Sequence, residues 1–225
     1  ALGANTTGSG NTAIGSSALT TNTTGSQQTA IGFNALYANT TGTQNTTVGR
    51  YALRYNTAGR FNTSVGNSSL YKNTGGSCNT ALGISALYYN TTGNQNLAIG
   101  LRALNQLTTG SGNVALGASS LEFTTTASNN VAVGYQAGYG NTTGTALNVF
   151  GYQAGYSNTT GVGLVAMGYQ AGYSNSTGYN LTAIGFIAGV ILTSIIISRR
   201  YKQATGNSLI RVLSVLDDTH TQKEK

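Results

Sequence analysis

Glu122, Asp217, Asp218 and Glu224 are the whole acidic stock of this chain, and His220 is its one histidine. Acid–base catalysis needs a carboxylate or an imidazole with a partner placed to tune it. Asp217 and Asp218 adjoin near the end of the chain, and Glu122 has no carboxylate near it in sequence, so a glycosidase pair is unsupported. A serine triad would depend on His220 alone. Cys78 is the single cysteine, so no intrachain disulfide can form, and His220 stands without a second ligand at metal spacing. The 32 glycines include no strand, Gly-x-x-x-x-Gly-Lys, helix sequence that would cradle phosphate. The expectation is a non-catalytic protein with no cofactor and no metal.

What recurs is polar and aromatic. Tyr37, Tyr71, Tyr88, Tyr139, Tyr156 and Tyr173 share one place in a repeat, Tyr135, Tyr152 and Tyr169 share a second, and Gln136, Gln153 and Gln170 a third. Aromatic and amide rows can contact glycans or a partner surface. Like side chains also stabilise adjacent strands simply by stacking on one another. The second reading is the stronger for these rows, and the first makes them a candidate contact surface.

The repeat that aligns them is 17 residues long. Its opening glycine recurs at Gly15, Gly32, Gly49, Gly66, Gly83, Gly100, Gly117, Gly134, Gly151, Gly168 and Gly185 without insertion. A fixed period of this size marks a solenoid whose units stack on their neighbours. Counting from the glycine, position 5 is leucine from Leu19 to Leu121, and position 17 is always apolar, as at Ile31, Val48 and Met167. Alternation along a strand sets positions 15 and 17 on one face and position 16 with the next glycine on the other. The expectation is that Val48 and its equivalents fill the coil together with Leu36. The Ala/Thr/Ser face of Thr47 and Gly32 would then be left for a partner chain. A helical reading fails on the glycine content, at about 1 kcal/mol per site.

Asn22, Asn39, Asn56, Asn73, Asn90, Asn141, Asn158 and Asn175 stand at position 8, and Gly25, Gly42, Gly59, Gly93, Gly144 and Gly161 at position 11. Asn-Thr-Thr-Gly reads as the turn, with glycine accepting positive φ and stacked asparagines forming amide ladders. The Asn-x-Ser/Thr sequences at these asparagines are read as that turn rather than as glycan acceptors. The resulting fold class is all-β: a parallel β-solenoid, or β-roll, of 17-residue coils over residues 1–189, roughly 50 Å long at 4.8 Å per coil.

Glu122, Phe123, Thr124 and Ala127 make residues 117–133 an irregular coil within one rod. Residues 190–225 form a non-repeat tail that caps the array, with a short amphipathic helix at 208–216 and a polar end. The apolar run 186–197, followed by Arg199 and Arg200, approaches the length of a membrane anchor, although a final capping coil is the favoured reading. The chain opens within a repeat, which predicts a fragment or a mature product of something longer. The net charge of +7 is unevenly spread, with six of the eleven basic residues in the last 27 positions. Residues 1–198 hold Arg50, Arg54, Arg60, Lys72 and Arg102 against Glu122, too scattered for a phosphate track, so nucleic acid is not expected.

Thr29-Ala30-Ile31-Gly32-Phe33-Asn34-Ala35-Leu36 and Leu97-Ala98-Ile99-Gly100-Leu101-Arg102-Ala103-Leu104 resemble the Ala-Ile-Gly-x-x-Ala head repeat of trimeric autotransporter adhesins. They are equally similar to the repeat shafts of phage and algal-virus tail fibres. The likeness covers residues 1–189. It implies a parallel β-roll, three chains side by side, and an adhesive fibre outside the cell or on the virion surface, touching a host glycan or receptor. The unit is longer than the adhesin repeat, and no membrane β-barrel or chaperone domain is recognisable. A self-assembling extracellular filament is the alternative. A third reading, an ice-binding solenoid, is invited by the threonines at position 9, but Thr23 and Thr24 point to opposite sides.

Overall fold

A computed structural model describes residues 1–189. The cap, helix and polar end expected over 190–225, with most of the 186–197 run, lie outside the described residues. The described residues fall in one compact unit.

Each coil contributes one three-residue strand, from β1 (Thr12–Ile14) to β11 (Thr182–Ile184), and all eleven lie in one sheet in chain order. Every pairing is parallel and joins equivalent positions: Thr29 to Thr46, Ala30 to Thr47, Ile31 to Val48. The fold is therefore an all-β parallel solenoid of 17-residue coils. Away from the sheet the backbone also bonds between coils, with donors alternating in direction. Asn34 N–H donates back to Ser16 at 3.0 Å, and Leu36 N–H forward to Ala52 at 3.0 Å. Turns that would otherwise orphan their polar groups are satisfied by the adjacent coil. Residues 117–133 keep this backbone, including strand β8 (Val131–Val133) in register. Their irregularity is confined to side chains.

The two faces of the strand are the reverse of expectation. Ala30, Thr47, Ser64 and Ala98 at position 16 are fully buried, whereas Val48 and Ile99 at position 17 are each 37% exposed and Ile14 is 58% exposed. The cause is the room inside the coil. Leu36 and its equivalents fill the interior together with buried asparagines at positions 8 and 14, leaving space at mid-strand for little more than Ala, Ser or Thr. The polar versions are satisfied: Thr47 Oγ1 donates to Thr29 O at 2.9 Å, and Ser64 Oγ lies 2.6 Å from Ser69 Oγ.

The core changes composition along the array in two coupled columns. Coils with Leu at position 5, from Leu19 to Leu121, carry Gln28 or Asn45 to Asn130 at position 14. The next three carry Gly138, Gly155 and Gly172 at position 5, and Leu147, Leu164 and Leu181 at position 14. A Cβ added to Gly155 would come within 2.8 Å of Val149 and 3.0 Å of Leu164. The interior holds a leucine in each case, delivered from opposite walls. Close packing explains the coupling, since two leucines overpack and none leaves a cavity. The position 5 leucines also hold left-handed backbone, as at Leu36 with φ 52°, where glycine is relaxed.

The position 8 ladder is as expected. Asn56 Nδ2 donates to Asn39 Oδ1 at 2.7 Å and Asn73 Nδ2 to Asn56 Oδ1 at 2.8 Å, all buried. It breaks at Leu107, which leaves Asn90 Oδ1 buried without a partner. A second ladder at position 14 was not foreseen. Asn62 N–H and Nδ2 both donate to Asn45 Oδ1 at 3.0 Å, while Asn62 Nδ2 also reaches Gly76 O at 2.9 Å.

The role of the glycines differs from the expected one. Gly25, Gly42 and Gly59 at position 11 do not have positive φ. They are required because a Cβ there would collide with the Asn amide and the carbonyl of the next coil. Positive φ belongs to the opening glycine, as at Gly49 with φ 137°. The Asn-Thr-Thr-Gly asparagines are likewise not left-handed.

Candidate functional site

The rod presents two surfaces with distinct chemistry. On the sheet face, positions 15 and 17 form parallel columns from Thr12 and Ile14 to Thr182 and Ile184, and neither column contains a charged residue. With ten steps of about 4.8 Å and a width of about 10 Å, the stripe measures roughly 500 Å². Position 17 is apolar in every coil, whereas position 15 is threonine in six coils, asparagine in one and Leu or Val in four, so an apolar column runs beside a largely hydroxylic one. An exposed apolar column of this length suits a partner surface.

The other surface carries the aromatic rows. Tyr139, Tyr156 and Tyr173 stack at centroid distances of 5.0 and 4.9 Å, nearly parallel. Tyr135, Tyr152 and Tyr169 stack beside them at 5.4 and 5.1 Å and continue to Phe186 at 5.2 Å. Gln153 Nε2 donates to Gln136 Oε1 and Gln170 Nε2 to Gln153 Oε1, both at 2.8 Å. These residues satisfy one another at the coil spacing, so like pairing is their structural role. Burial raises the Tyr156 phenol above its ordinary value, with the neighbouring Tyr139, Tyr173 and Tyr135 adding to the effect.

The row of six tyrosines at position 6 is not continuous. Asn105 and Glu122 separate Tyr88 from Tyr139, and Arg54 occupies the place between Tyr37 and Tyr71. Glu122 is buried and its Oε1 pairs with Arg102 Nε at 3.2 Å. Around Arg54 a different kind of site forms. Tyr71 and Tyr88 stack at 4.8 Å, and Tyr55 meets Tyr71 edge-on at 5.0 Å. The Arg54 guanidinium lies 5.1 Å from the Tyr51 centroid and 5.2 Å from that of Tyr55, and Nη1 donates to Tyr71 Oη at 3.2 Å. Its Nε is buried with no partner, an arrangement that costs about 1–3 kcal/mol. Lys72 Nζ sits 4.7 Å from the Tyr89 centroid and Arg50 lies 4.5 Å from Tyr51. Burial raises the Tyr88 phenol, followed by the influence of Tyr71, Tyr89 and Tyr55. An open groove of about 680 Å³ runs past Tyr55, Tyr71, Lys72 and Tyr88, with Thr57, Thr74 and Thr91 along it.

Sequence reasoning named Tyr37, Tyr71 and Tyr88 here but missed Tyr51, Tyr55, Tyr89, Arg54 and Lys72. The available signal was the placing of Arg50, Arg54 and Lys72 in two successive coils among tyrosines. The position 9 threonines have a structural role: Thr57 Oγ1 donates to Thr74 O at 3.0 Å, and Thr74 Oγ1 to Thr91 O at 3.1 Å. Asn22, Asn39, Asn90, Asn141 and Asn158, each in an Asn-x-Ser/Thr sequence, are buried with their amides in the ladder.

No protein-family profile matches the chain, and neither does any curated protein or any solved structure.

Proposed function

We propose that this chain is a non-catalytic structural and adhesive fibre segment, displayed outside the cell or on a virion surface, whose copies associate side by side. The observation that carries the reading is the outward apolar column at position 17 of the eleven-stranded sheet, with Val48 and Ile99 each 37% exposed, beside a column that carries no charge. Two such faces together would cover roughly 1,000 Å², about the lower limit for a specific interface. The non-catalytic part rests on chemistry: Glu122 is buried against Arg102, and no other acidic residue stands among the described ones. The self-association surface is the bulky column, because the small column originally assigned to it faces the interior.

Sedimentation velocity tests the assembly. The native chain is expected to form a discrete oligomer, and Val48→Lys with Ile99→Lys to sediment as a monomer with an unchanged circular dichroism spectrum. An oligomer of unaltered size in that variant sinks the lateral reading. Long fibres visible by electron microscopy would favour the filament alternative.

A further inference from the structure

We infer that the groove lined by Tyr55, Tyr71, Lys72 and Tyr88, with Arg54 beside it against Tyr55 and Tyr71, binds an acidic saccharide, offering a carboxylate or sulfate to Lys72 and Arg54 and hydroxyls to the surrounding phenols. The inference rests on the adhesive part of the proposed function and assigns that role to one site and one ligand chemistry.

The charge pattern makes the first argument. Among the described residues the only carboxylate side chain is Glu122, which Arg102 engages at 3.2 Å. Arg50, Arg54 and Lys72 therefore share one surface with no acidic side chain to offset them. Arg54 donates one side-chain hydrogen bond, to Tyr71 Oη, and its Nε is buried without a partner. The buried Nε is closed to a ligand, whereas Nη2 makes no hydrogen bond to the described residues and is not buried, and a guanidinium N–H suits a carboxylate or a sulfate.

The aromatic geometry selects the rest of the ligand. Tyr71 and Tyr88 already cover each other's faces at 4.8 Å, and Tyr55 abuts Tyr71 edge-on. Stacked on each other, Tyr71 and Tyr88 leave no slot between them for a base to enter. A duplex carries one charge per 1.7 Å, far denser than three cations on one surface can match. The groove instead presents ring edges, phenolic hydroxyls that both donate and accept, and the threonine row. A ligand bearing one or two negative charges amid many hydroxyls fits that lining.

The site is local. Tyr139, Tyr156 and Tyr173 occupy the same position further along with no cation beside them among the described residues, so they provide an internal comparison.

Isothermal titration of the full chain with four probes tests the inference: a uronate-bearing oligosaccharide, a sulfated one, a neutral oligosaccharide of equal length bearing neither carboxylate nor sulfate, and a single-stranded oligonucleotide. The substitutions are Arg54→Tyr and Lys72→Ser, which install the residues that other coils carry at those positions, such as Tyr156 and Ser157. At least one acidic oligosaccharide is expected to bind at least tenfold more tightly than the neutral one, and the preferred acid identifies the anion. Arg54→Tyr should weaken it tenfold or more, and addition of Lys72→Ser should weaken it further. Raising the salt should weaken binding, and Tyr156→Phe should not.

Equal binding of the neutral oligosaccharide, unchanged binding in the double variant, or no binding to either acid overturns the inference. Tighter binding of the oligonucleotide that is lost in Arg54→Tyr also overturns it, in favour of nucleic acid. The same samples are sedimented. Absence of saccharide binding to the native chain with its assembly intact defeats the site alone. Saccharide binding retained in the monomeric Val48→Lys, Ile99→Lys variant supports the site while separating it from lateral association.

Discussion

Gly49 and Gly75 differ in their surroundings as much as any two glycines in the array. Gly49 has φ 137°, and a Cβ there would lie 2.6 Å from Gly66 O in the next coil, whereas Gly75 has nothing within 4 Å. Gly49→Ala is expected to cost at least about 2 kcal/mol, from strained backbone plus a displaced neighbour. Gly75→Ala should be neutral or stabilise by up to about 1 kcal/mol by restricting the unfolded chain. Denaturant midpoints measure both, and equal effects would contradict the steric account. The raised phenols of Tyr88 and Tyr156 carry a pH consequence. Because their folded values lie above the unfolded one, the stability they contribute is complete below about pH 10 and is lost as pH climbs through the folded values. Absorbance at 295 nm should show a tyrosine fraction ionising later than free tyrosine, with the midpoint of unfolding falling over the same range. A decline beginning below pH 9 would mean other groups dominate.

At the scale of the coil, the exchange of core leucine between positions 5 and 14 is an experiment already present in the chain. Leu121 with Asn130 is the last coil of the first kind, and Gly138 with Leu147 the first of the second. Moving the boundary by one coil requires both Leu121→Gly and Asn130→Leu. The first alone should cost about 2–4 kcal/mol, as a leucine-sized void partly offset by relief of the left-handed φ of 49°. The second alone overpacks against Leu121 and removes the bond from Nδ2 to Gly144 O. In the double variant each change supplies what the other lacks, so the cost should fall below the sum of the singles by at least about 1 kcal/mol. A double-mutant cycle closing on additivity would show that the two columns do not share the space.

At the scale of the whole array, each strand pairs only with its neighbours in sequence, so a defect has one route by which to spread. Gly117 lies mid-array with φ 132°, and a Cβ there would meet the Gly134 carbonyl of the next coil. Hydrogen exchange of Gly117→Ala should show lost protection in the coils on either side of it, with protection retained near strands β3 (Thr46–Val48) and β10 (Val165–Met167). Uniform loss along the rod would show that the solenoid unfolds as one unit. The same one-dimensional logic gives each surface column its length: any side chain repeated every 17 residues becomes a row, whether the aliphatics at position 17 or the tyrosines at position 6.

The 17-residue period by itself determined the coil, its parallel in-register strands and the position 8 ladder. A chain repeated at constant spacing can stack like on like, and Asn-Thr-Thr-Gly tolerates no other register. The same logic made the stacked Tyr and Gln rows legible in advance. The direction of the strand faces was not legible, because alternation separates two sets of side chains without saying which is inside. That was decided by interior volume once Leu36, Asn39 and Asn45 had entered the coil. Nor could spacing show that Leu36 would hold left-handed backbone, which cross-coil hydrogen bonds impose against its own preference. Arg54 reads in sequence as one scattered cation. Tyr51 and Tyr55 lie in its own repeat, but only the stacking of successive coils brings Tyr71, 17 residues on, against it and closes the cluster.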